Sequence, residues 1–184
     1  MLQLNFTPFP VLHTQRLLLR EMVQKDAPEL FFLRSDEKVL QFIGREPAKT
    51  ITEVEEFIQK IHAAQVANES ILWAIALKDE PATLIGSICY WRVQPENYRA
   101  EIGYNLHPDH WGRGIITEAI NKVVDYGFTE MKLHSIEART SPENIGSGAA
   151  LEKAGFVKEG HLKEEFFFGG KFFDSVIYSR LQKK

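Results

Sequence analysis

The sequence predicts an α+β fold built on a mixed sheet, and two features of its pattern predict it. Three strand-like runs follow one another with turn-forming segments between them, SILWAIALK, ATLIGSICYWRV and RAEIGYNL, which is typical of an antiparallel meander. After the segment HWGRG the apolar spacing changes from two residues to about 3.6, which indicates a helix over roughly residues 113 to 130. We find no repeat, low-complexity tract or linker, so residues 1 to 184 are expected to form a single domain.

The segments before the meander predict one strand and two helices. The first strand is VLHTQRLLLREM, and the helical region DAPELFFLRSDEKVLQFI follows it, with Asp26 as the expected N-cap and Pro28 in the first turn. In the second helix Thr52 lies three residues before Glu55, which is the spacing of a capping box. This helix is expected to end near Asn68.

The segments after residue 130 predict one strand, a short helix and a hairpin. HSIEART is expected to form a strand, and NIGSGAALEKAG a short helix that Gly155 closes. The runs FVKEGHLKEEFFF and KFFDSVIYSRL are expected to pair as a hairpin that turns at Gly169 and Gly170. Its aromatic residues are more typical of packing than of base stacking.

Composition excludes several classes of function. The net charge of −3 argues against direct binding of nucleic acid, which needs a basic surface. The single cysteine, Cys89, excludes an intramolecular disulfide and favours a cytoplasmic location. No apolar run is long enough to span a membrane, and His134 and His161 lack the neighbours of a metal site, so we expect neither membrane nor metal.

The segment HPDHWGRGIITEAI places glycines between a strand and a helix N-terminus, an arrangement that favours an anion. Gly112 and Gly114 let the backbone approach a ligand closely, and Arg113 adds positive charge. The segment lacks the Lys-Ser/Thr pair of a P-loop, and Thr117 occupies the third glycine position of a dinucleotide fingerprint. A diphosphate is the expected ligand, and a simple tight turn is the alternative.

The chain resembles the GNAT superfamily of acetyl-CoA-dependent N-acetyltransferases, specifically its RimJ/RimL-like branch, which acetylates N-terminal amines of ribosomal proteins. The resemblance rests on segments in this order: LHTQRLLLRE, DAPELFFLRSDEKV, LIGSI, AEIGYNLHPDHWGRGIITEA, SPENIGSGAALEKAGFVKEGHLKE and FDSVIYS. It implies a central, twisted, mostly antiparallel mixed sheet of about seven strands, with about four helices on both faces. It also implies acetyl-CoA as cosubstrate, without a metal.

The resemblance further implies which residues contact coenzyme A. Backbone amides of residues 112 to 117 would bind the pyrophosphate: Gly112, Arg113, Gly114, Ile115, Ile116 and Thr117. The N–H of Leu106 would meet the pantetheine and the thioester carbonyl. The chain departs from the family pattern at Ile116, where a small residue is usual, and it has Trp111 at the Gln/Arg position.

Transfer of an acyl group from a thioester to an amine needs a neutral amine, stabilisation of the oxyanion and a proton for the departing thiolate. Asn144 and Ser147 lie three residues apart on one helix face, and the resemblance implies contacts to pantetheine and thiolate for them. Asn144 also suits an N-cap, and Ser147 suits a plain surface or core hydroxyl. Tyr104 on the meander strand is the substitute proton donor.

The general base is the role for which the sequence offers least. The ribosomal-protein branch often has a glutamate in the penultimate strand, but the equivalent position here is Phe166, and Glu165 beside it is expected to point to the other face. Glu101 is the remaining strand carboxylate that could deprotonate the amine, directly or through water. A structural carboxylate satisfied by neighbouring strands is the alternative for Glu101.

The sequence therefore predicts an enzyme that transfers acetyl from acetyl-CoA to a primary amine by direct attack in a ternary complex. The acceptor would be a peptide N-terminus or a small amine, and the acidic balance suits a cationic one. A non-catalytic acyl-CoA-binding module is the alternative, supported by Phe166. A scaffold whose glycine segment is only a turn is a third hypothesis. A homodimer is the expected oligomer, because dimers are the commonest assembly.

Overall fold

The computed structural model describes residues 1–183 and contains an eight-stranded sheet in the order β1-β2-β3-β4-β5-β6-β8-β7. The strands are β1 Leu12–His13, β2 Leu17–Glu21, β3 Ile71–Leu77, β4 Gly86–Gln94, β5 Arg99–Leu106, β6 Ser135–Thr140, β7 Val157–Phe168 and β8 Lys171–Leu181. The helices are α1 Ala27–Ser35, α2 Glu37–Leu40, α3 Ile51–Val66, α4 Ile115–Thr129 and α5 Ile145–Lys153. Neighbouring strands are antiparallel except β5 and β6, which are parallel. The predicted α+β fold with a mixed, mostly antiparallel sheet is confirmed.

The sheet has one strand more than predicted, and the chain one helix more, because two predicted elements each divide. The first strand folds back on itself as the β1–β2 hairpin, in which the Thr14 hydroxyl accepts the N–H of Leu17. The first helical region breaks at Asp36, whose backbone is extended and whose carboxylate accepts the N–H of Val39 to cap α2. Short polar side chains that cap the backbone locally stop regular elements in this way.

Asp26 is the N-cap residue of α1, as predicted, but its side chain makes no capping hydrogen bond. Helix α1 does begin after Asp26, but the carboxylate accepts the N–H of Val23 at 2.8 Å and forms a two-pronged ion pair with Arg20. Asp26 is buried, and a buried carboxylate charge requires a partner, which here is the guanidinium of Arg20.

The N-cap of α3 lies at Thr50, before the capping box predicted at Thr52 and Glu55. Thr50 accepts the N–H of Glu53 at 3.2 Å, and the Glu53 carboxylate accepts the N–H of Lys49 at 3.0 Å. The observed pair Thr50–Glu53 and the predicted pair Thr52–Glu55 have the same spacing. Thr50 has the extended backbone that an N-cap requires, whereas Thr52 is already helical. The prediction of Thr52 and Glu55 is therefore wrong.

The helices cover both faces of the sheet. Helix α4 packs on one face, where the Tyr90 hydroxyl donates to the Val123 carbonyl at 2.9 Å. Helices α1 and α3 pack on the other face, where Ile58 joins a buried cluster with Ala74 of β3. No helix within residues 1–183 has the length and apolar character needed to cross a bilayer.

The two parallel strands at the centre of the sheet separate along their length. β5 pairs with β6 only from Arg99–Ser135 to Glu101–Glu137, and beyond these residues the strands diverge. The N–H of His107 donates to the Ile85 carbonyl, on the side of β4. Because successive N–H groups of a strand point to opposite sides, the N–H and C=O of Leu106 point into the gap between β5 and β6.

Candidate active site

The gap between β5 and β6 opens into a cleft with a volume of about 470 Å³. Five segments form its walls: the ends of β5 and β6, the glycine segment before α4, the first turn of α5, and the region around α2. The lining residues are Lys38, Val39, Phe42, Ile43, Ile102, Gly103, Tyr104, Asn105, Leu106, His110, Trp111, Gly112, Gly114, Ile115, Ile116, Arg139, Thr140, Glu143, Asn144, Ile145, Gly146 and Ser147. The cleft therefore brings together most of the residues that the sequence predicts for the site.

The glycine loop, residues 112 to 114, forms the turn into α4. Gly112 and Gly114 have φ values of 72° and 73°, in the left-handed region that favours glycine. The backbone N–H groups of residues 112 to 117 donate no hydrogen bond to any group within residues 1–183. These donors lie at the positive end of the α4 dipole, so the loop can bind an anion through its backbone.

The six residues predicted to bind the pyrophosphate, 112 to 117, differ in position. Gly112, Gly114, Ile115 and Ile116 line the cleft, whereas the side chain of Arg113 is exposed and outside the lining. Thr117 faces a separate open groove that also contains Glu118. The Ile116 side chain packs against the main hydrophobic core, which accounts for an apolar residue larger than the family pattern at this position.

A polar clamp on the loop was missed by sequence reasoning, which took HTQRLLLRE only as a strand. Arg16 Nη1 donates to the Arg113 carbonyl at 2.9 Å, and Arg16 Nε donates to Glu118 Oε2 at 2.7 Å. The Thr14 hydroxyl donates to Glu118 Oε1. Burial favours a higher pKa for Glu118, but the hydrogen bonds from Thr14 and Arg16 outweigh it and lower the pKa. The clamp therefore joins the β1–β2 hairpin to the first turn of α4.

Trp111 occupies one of the two backbone groups of Leu106 that point into the gap. The indole N–H of Trp111 donates to the Leu106 carbonyl at 2.8 Å. The carbonyl thus has a partner, and the Leu106 N–H remains as a donor that points into the cleft.

Tyr104 and Ser147, predicted as alternative proton donors, are hydrogen-bonded to each other. Their hydroxyl oxygens lie 2.8 Å apart. Burial raises the pKa of Tyr104 to about 12, so its phenol stays protonated at neutral pH. Asn144 accepts the Ser147 N–H at 3.0 Å as the N-cap of α5 and also lines the cleft, so capping leaves its amide NH₂ free for a ligand.

Glu101 lies on the opposite face of β5 from Tyr104, because the two are three residues apart in a strand. It does not line the cleft. Its carboxylate accepts from Arg92 Nη1 at 3.1 Å and lies 4.0 Å from Arg139 Nε. Burial raises the pKa of Glu101 and the two arginines oppose that rise.

Glu165 lies nearer to the cleft than regular alternation of strand side chains predicts, although it does not line the cleft. Its carboxylate accepts from Arg139 Nη1, and Arg139 lines the cleft. The reason is an irregularity in β7 between Leu162 and Phe166, where Glu164 has a φ of 52° and the alternation of side chains shifts. Phe166 stacks on Phe173 with ring centroids 5.3 Å apart, as the packing interpretation predicted.

The two histidines discussed above lie outside the cleft. His161 Nε2 is 2.7 Å from Asp174 Oδ2 on the β7–β8 hairpin, whereas His134 donates its backbone N–H to the Tyr98 carbonyl. Within residues 1–183, no group of three His, Cys, Asp or Glu side chains is arranged to hold a metal ion.

The geometry agrees with comparisons to known proteins. Residues 16–157 match the family model of the acetyltransferase (GNAT) domain. The chain belongs to the GNAT acetyltransferase family. The uncharacterized N-acetyltransferase YoaA of Bacillus subtilis (strain 168) is 36% identical to this GNAT chain over 171 residues, 93% of this chain and 96% of YoaA.

Two further comparisons concern spermidine acetyltransferases of Vibrio cholerae. The spermidine N(1)-acetyltransferase of serotype O1 (strain ATCC 39315 / El Tor Inaba N16961) is 30% identical to this GNAT chain over 169 residues, 92% of this chain and 95% of the relative. The crystal structure of the V. cholerae spermidine N-acetyltransferase in complex with CoA and spermine has a TM-score of 0.81 at 28% identity, covering 92% of this chain and 97% of that one.

The predicted family, its fold and an enzyme that transfers acetyl from acetyl-CoA to an amine are therefore confirmed. Assignment to the ribosomal-protein branch stays a prediction.

Proposed function

We propose that this GNAT chain binds acetyl-CoA along β5 and the glycine loop and transfers its acetyl group to a primary amine by direct attack in a ternary complex. The acceptor is an N-terminal α-amine of a peptide or a small-molecule amine. We place the reaction in the cytoplasm, and a homodimer is the expected assembly.

The residues of the cleft fit coenzyme A. A pyrophosphate needs several convergent donors, and the unpaired N–H groups of residues 112 to 117 supply them at a helix N-terminus. Pantetheine is an extended chain of amides, and the open edge of β5 beyond Glu101 offers backbone groups to such a chain. The NH₂ of Asn144 provides a further donor beside the thiol end.

The Leu106 N–H and the Tyr104–Ser147 pair divide the chemistry. The amine nitrogen bonds to the thioester carbonyl carbon, and the Leu106 N–H stabilises the oxyanion that results. The C–S bond then breaks, and the Tyr104 hydroxyl gives its proton to the departing sulfur. Ser147 donates to the phenolate oxygen that remains, and the phenol recovers its proton from solvent. A phenol is the more acidic of the two hydroxyls, so we assign the donor role to Tyr104 and the supporting role to Ser147.

The acceptor amine needs no dedicated base in this proposal. Glu101 does not line the cleft, and its carboxylate is paired with Arg92 and Arg139, which stabilise its charged form. The amine therefore enters in its neutral form and passes its proton to water after the attack.

The hydrogen bond between Tyr104 and Ser147 at the edge of the cleft is the observation that carries the proposal, because it holds a protonated phenol beside the cleft, as delivery of a proton to a departing thiolate requires. The test is release of free thiol from acetyl-CoA against a panel of N-terminal peptides, polyamines and small amines, with Ser147→Ala measured alongside. We expect turnover on one acceptor class and a lower rate for the variant. Turnover that the variant leaves unchanged would contradict the assignment.

The alternative from the sequence, a non-catalytic acyl-CoA-binding module, keeps one supporting observation, although the family relationship favours the enzyme. Phe166, which has no acid–base chemistry, lies against Gly44 where the family offers a carboxylate. This candidate predicts calorimetric binding of acetyl-CoA with no thiol release for any acceptor in the panel.

A further inference from the structure

A network of charged side chains centred on Arg139 lies at the α1–α3 side of the cleft. Arg139 Nε lies 2.7 Å from Glu137 Oε1 and 4.0 Å from Glu101 Oε2, and Nη1 donates to the Glu165 carboxylate. Arg139 is part of the cleft lining, whereas the three carboxylates are not. The guanidinium therefore stands between the cleft and all three acidic side chains.

The network is electrically balanced. Glu101 and Glu137 are only 8% and 7% exposed, and buried carboxylates require partners. Arg92 pairs with Glu101 and Arg99 pairs with Glu137 on the side away from the cleft. With Arg139, three guanidinium groups face three carboxylates, so none of the acidic charge is available to a ligand.

The remaining charged groups near this opening do not favour a polycation. Lys38 and Glu143 line the cleft with opposite charges. The backbone N–H of Arg45 donates to the carbonyl of Ile43, a residue that lines the cleft. The side-chain Nε of Arg45 is buried and has no hydrogen-bond partner within residues 1–183. Neither Arg45 nor the neighbouring Arg34 forms an ion pair in the described part of the chain. Of the charged side chains that line the cleft, Lys38 and Arg139 are cationic and Glu143 is anionic, although the overall charge of the chain is −3.

We propose that Arg139 determines acceptor selectivity: by occupying the carboxylates of Glu101, Glu137 and Glu165, it makes the protein select amines with a single positive charge over polyamines. This inference rests on the proposed function, because it takes the α1–α3 side of the cleft as the entrance for the acceptor. A polyamine needs exposed carboxylates for its additional ammonium groups. Arg139 leaves Glu143 as the one carboxylate in the lining.

The test compares n-butylamine, putrescine and spermidine, which share an aminobutyl end and differ in charge. KM for each amine and calorimetric binding of spermidine are measured for the wild type, Arg139→Gln and Arg139→Lys. Arg92→Gln is the matched control, because it removes one charge from the same network without uncovering the carboxylates toward the cleft. Thermal unfolding and binding of CoA verify that each variant is folded with an intact glycine loop.

Among the three amines, we expect n-butylamine to have the lowest KM with the wild type. In Arg139→Gln, the Kd for spermidine should fall about tenfold, the effect of one charge-assisted hydrogen bond, while Arg139→Lys and Arg92→Gln stay close to the wild type. Spermidine that binds Arg139→Gln no more tightly than the wild type would overturn the inference, as would a wild type that already prefers spermidine. If Arg139→Gln does not fold, the ranking of the three amines by the wild type decides.

Failure of the proposed function is a separate outcome. A wild type that transfers acetyl to no amine refutes the transferase proposal, whereas the comparison of spermidine binding between wild type and Arg139→Gln still decides the role of Arg139.

Discussion

At the scale of single residues, Tyr104 and Ser147 form a pair in which each hydroxyl has a distinct role. Tyr104→Phe removes the proton donor and leaves the ring, so kcat should fall about 10²-fold, within the range for a positioned general acid. Ser147→Ala should have the smaller effect, because the phenol remains. Steady-state thiol release with both substrates varied measures each effect, and a larger loss for Ser147→Ala than for Tyr104→Phe would reverse the two assignments.

The acid limb of the pH profile reports which group must be deprotonated. Only the neutral amine attacks, so kcat/KM should fall about tenfold per pH unit below the pKa of the acceptor. The limb should therefore shift between two acceptors of different pKa, and Glu101→Gln should not remove it. If Glu101 were the base, both acceptors would share one limb at its raised pKa, and Glu101→Gln would abolish it.

At the scale of elements, the clamp of Arg16 on the loop and on Glu118 fixes the first turn of α4. Arg16→Gln leaves the Glu118 carboxylate without its ion-pair partner beside the proposed pyrophosphate site, where its charge repels the diphosphate. KM for acetyl-CoA should therefore rise roughly tenfold, a factor that corresponds to the free energy of one charge-assisted hydrogen bond. KM for the amine and kcat should change little, which separates positioning of the loop from general loss of structure. Lys25→Gln, which neutralises an exposed charge in the segment between β2 and α1, is the control, and an equal rise in KM for it would contradict the role of Arg16.

Strands and helices with a strong apolar period could be predicted from the sequence, but the breaks within them could not. β5 covers the same residues as the predicted run RAEIGYNL, and Asn144 caps α5 as its spacing suggested. The division at Asp36 and the shift near Glu164 depend on one hydrogen bond and one left-handed residue, neither of which changes the apolar pattern. The Arg139 network could not be predicted because its members come from separate strands, and sequence spacing does not show which of them meet.

At the scale of the whole molecule, α4 is fixed to the sheet where Gly127 crosses Tyr90. A Cβ at Gly127 would lie 2.4 Å from the Tyr90 hydroxyl oxygen, and Tyr90 is fully buried. Gly127→Ala should therefore destabilise the protein by about 1–3 kcal/mol, as overpacking does. Urea unfolding measures the loss, and Gly160→Ala, where a Cβ meets nothing within 4 Å, should be close to neutral. Equal stability of the two variants would contradict this packing argument.

The central claim is that coenzyme A lies in the gap between β5 and β6 with its diphosphate on the glycine loop. Titration of ¹⁵N-labelled protein with CoA, followed by NMR, tests it most directly. The account predicts the largest shifts of amide resonances at Leu106 and at residues 112 to 117, where N–H groups are unpaired. Saturable shifts that leave these amides unmoved would place the cofactor elsewhere and contradict the account.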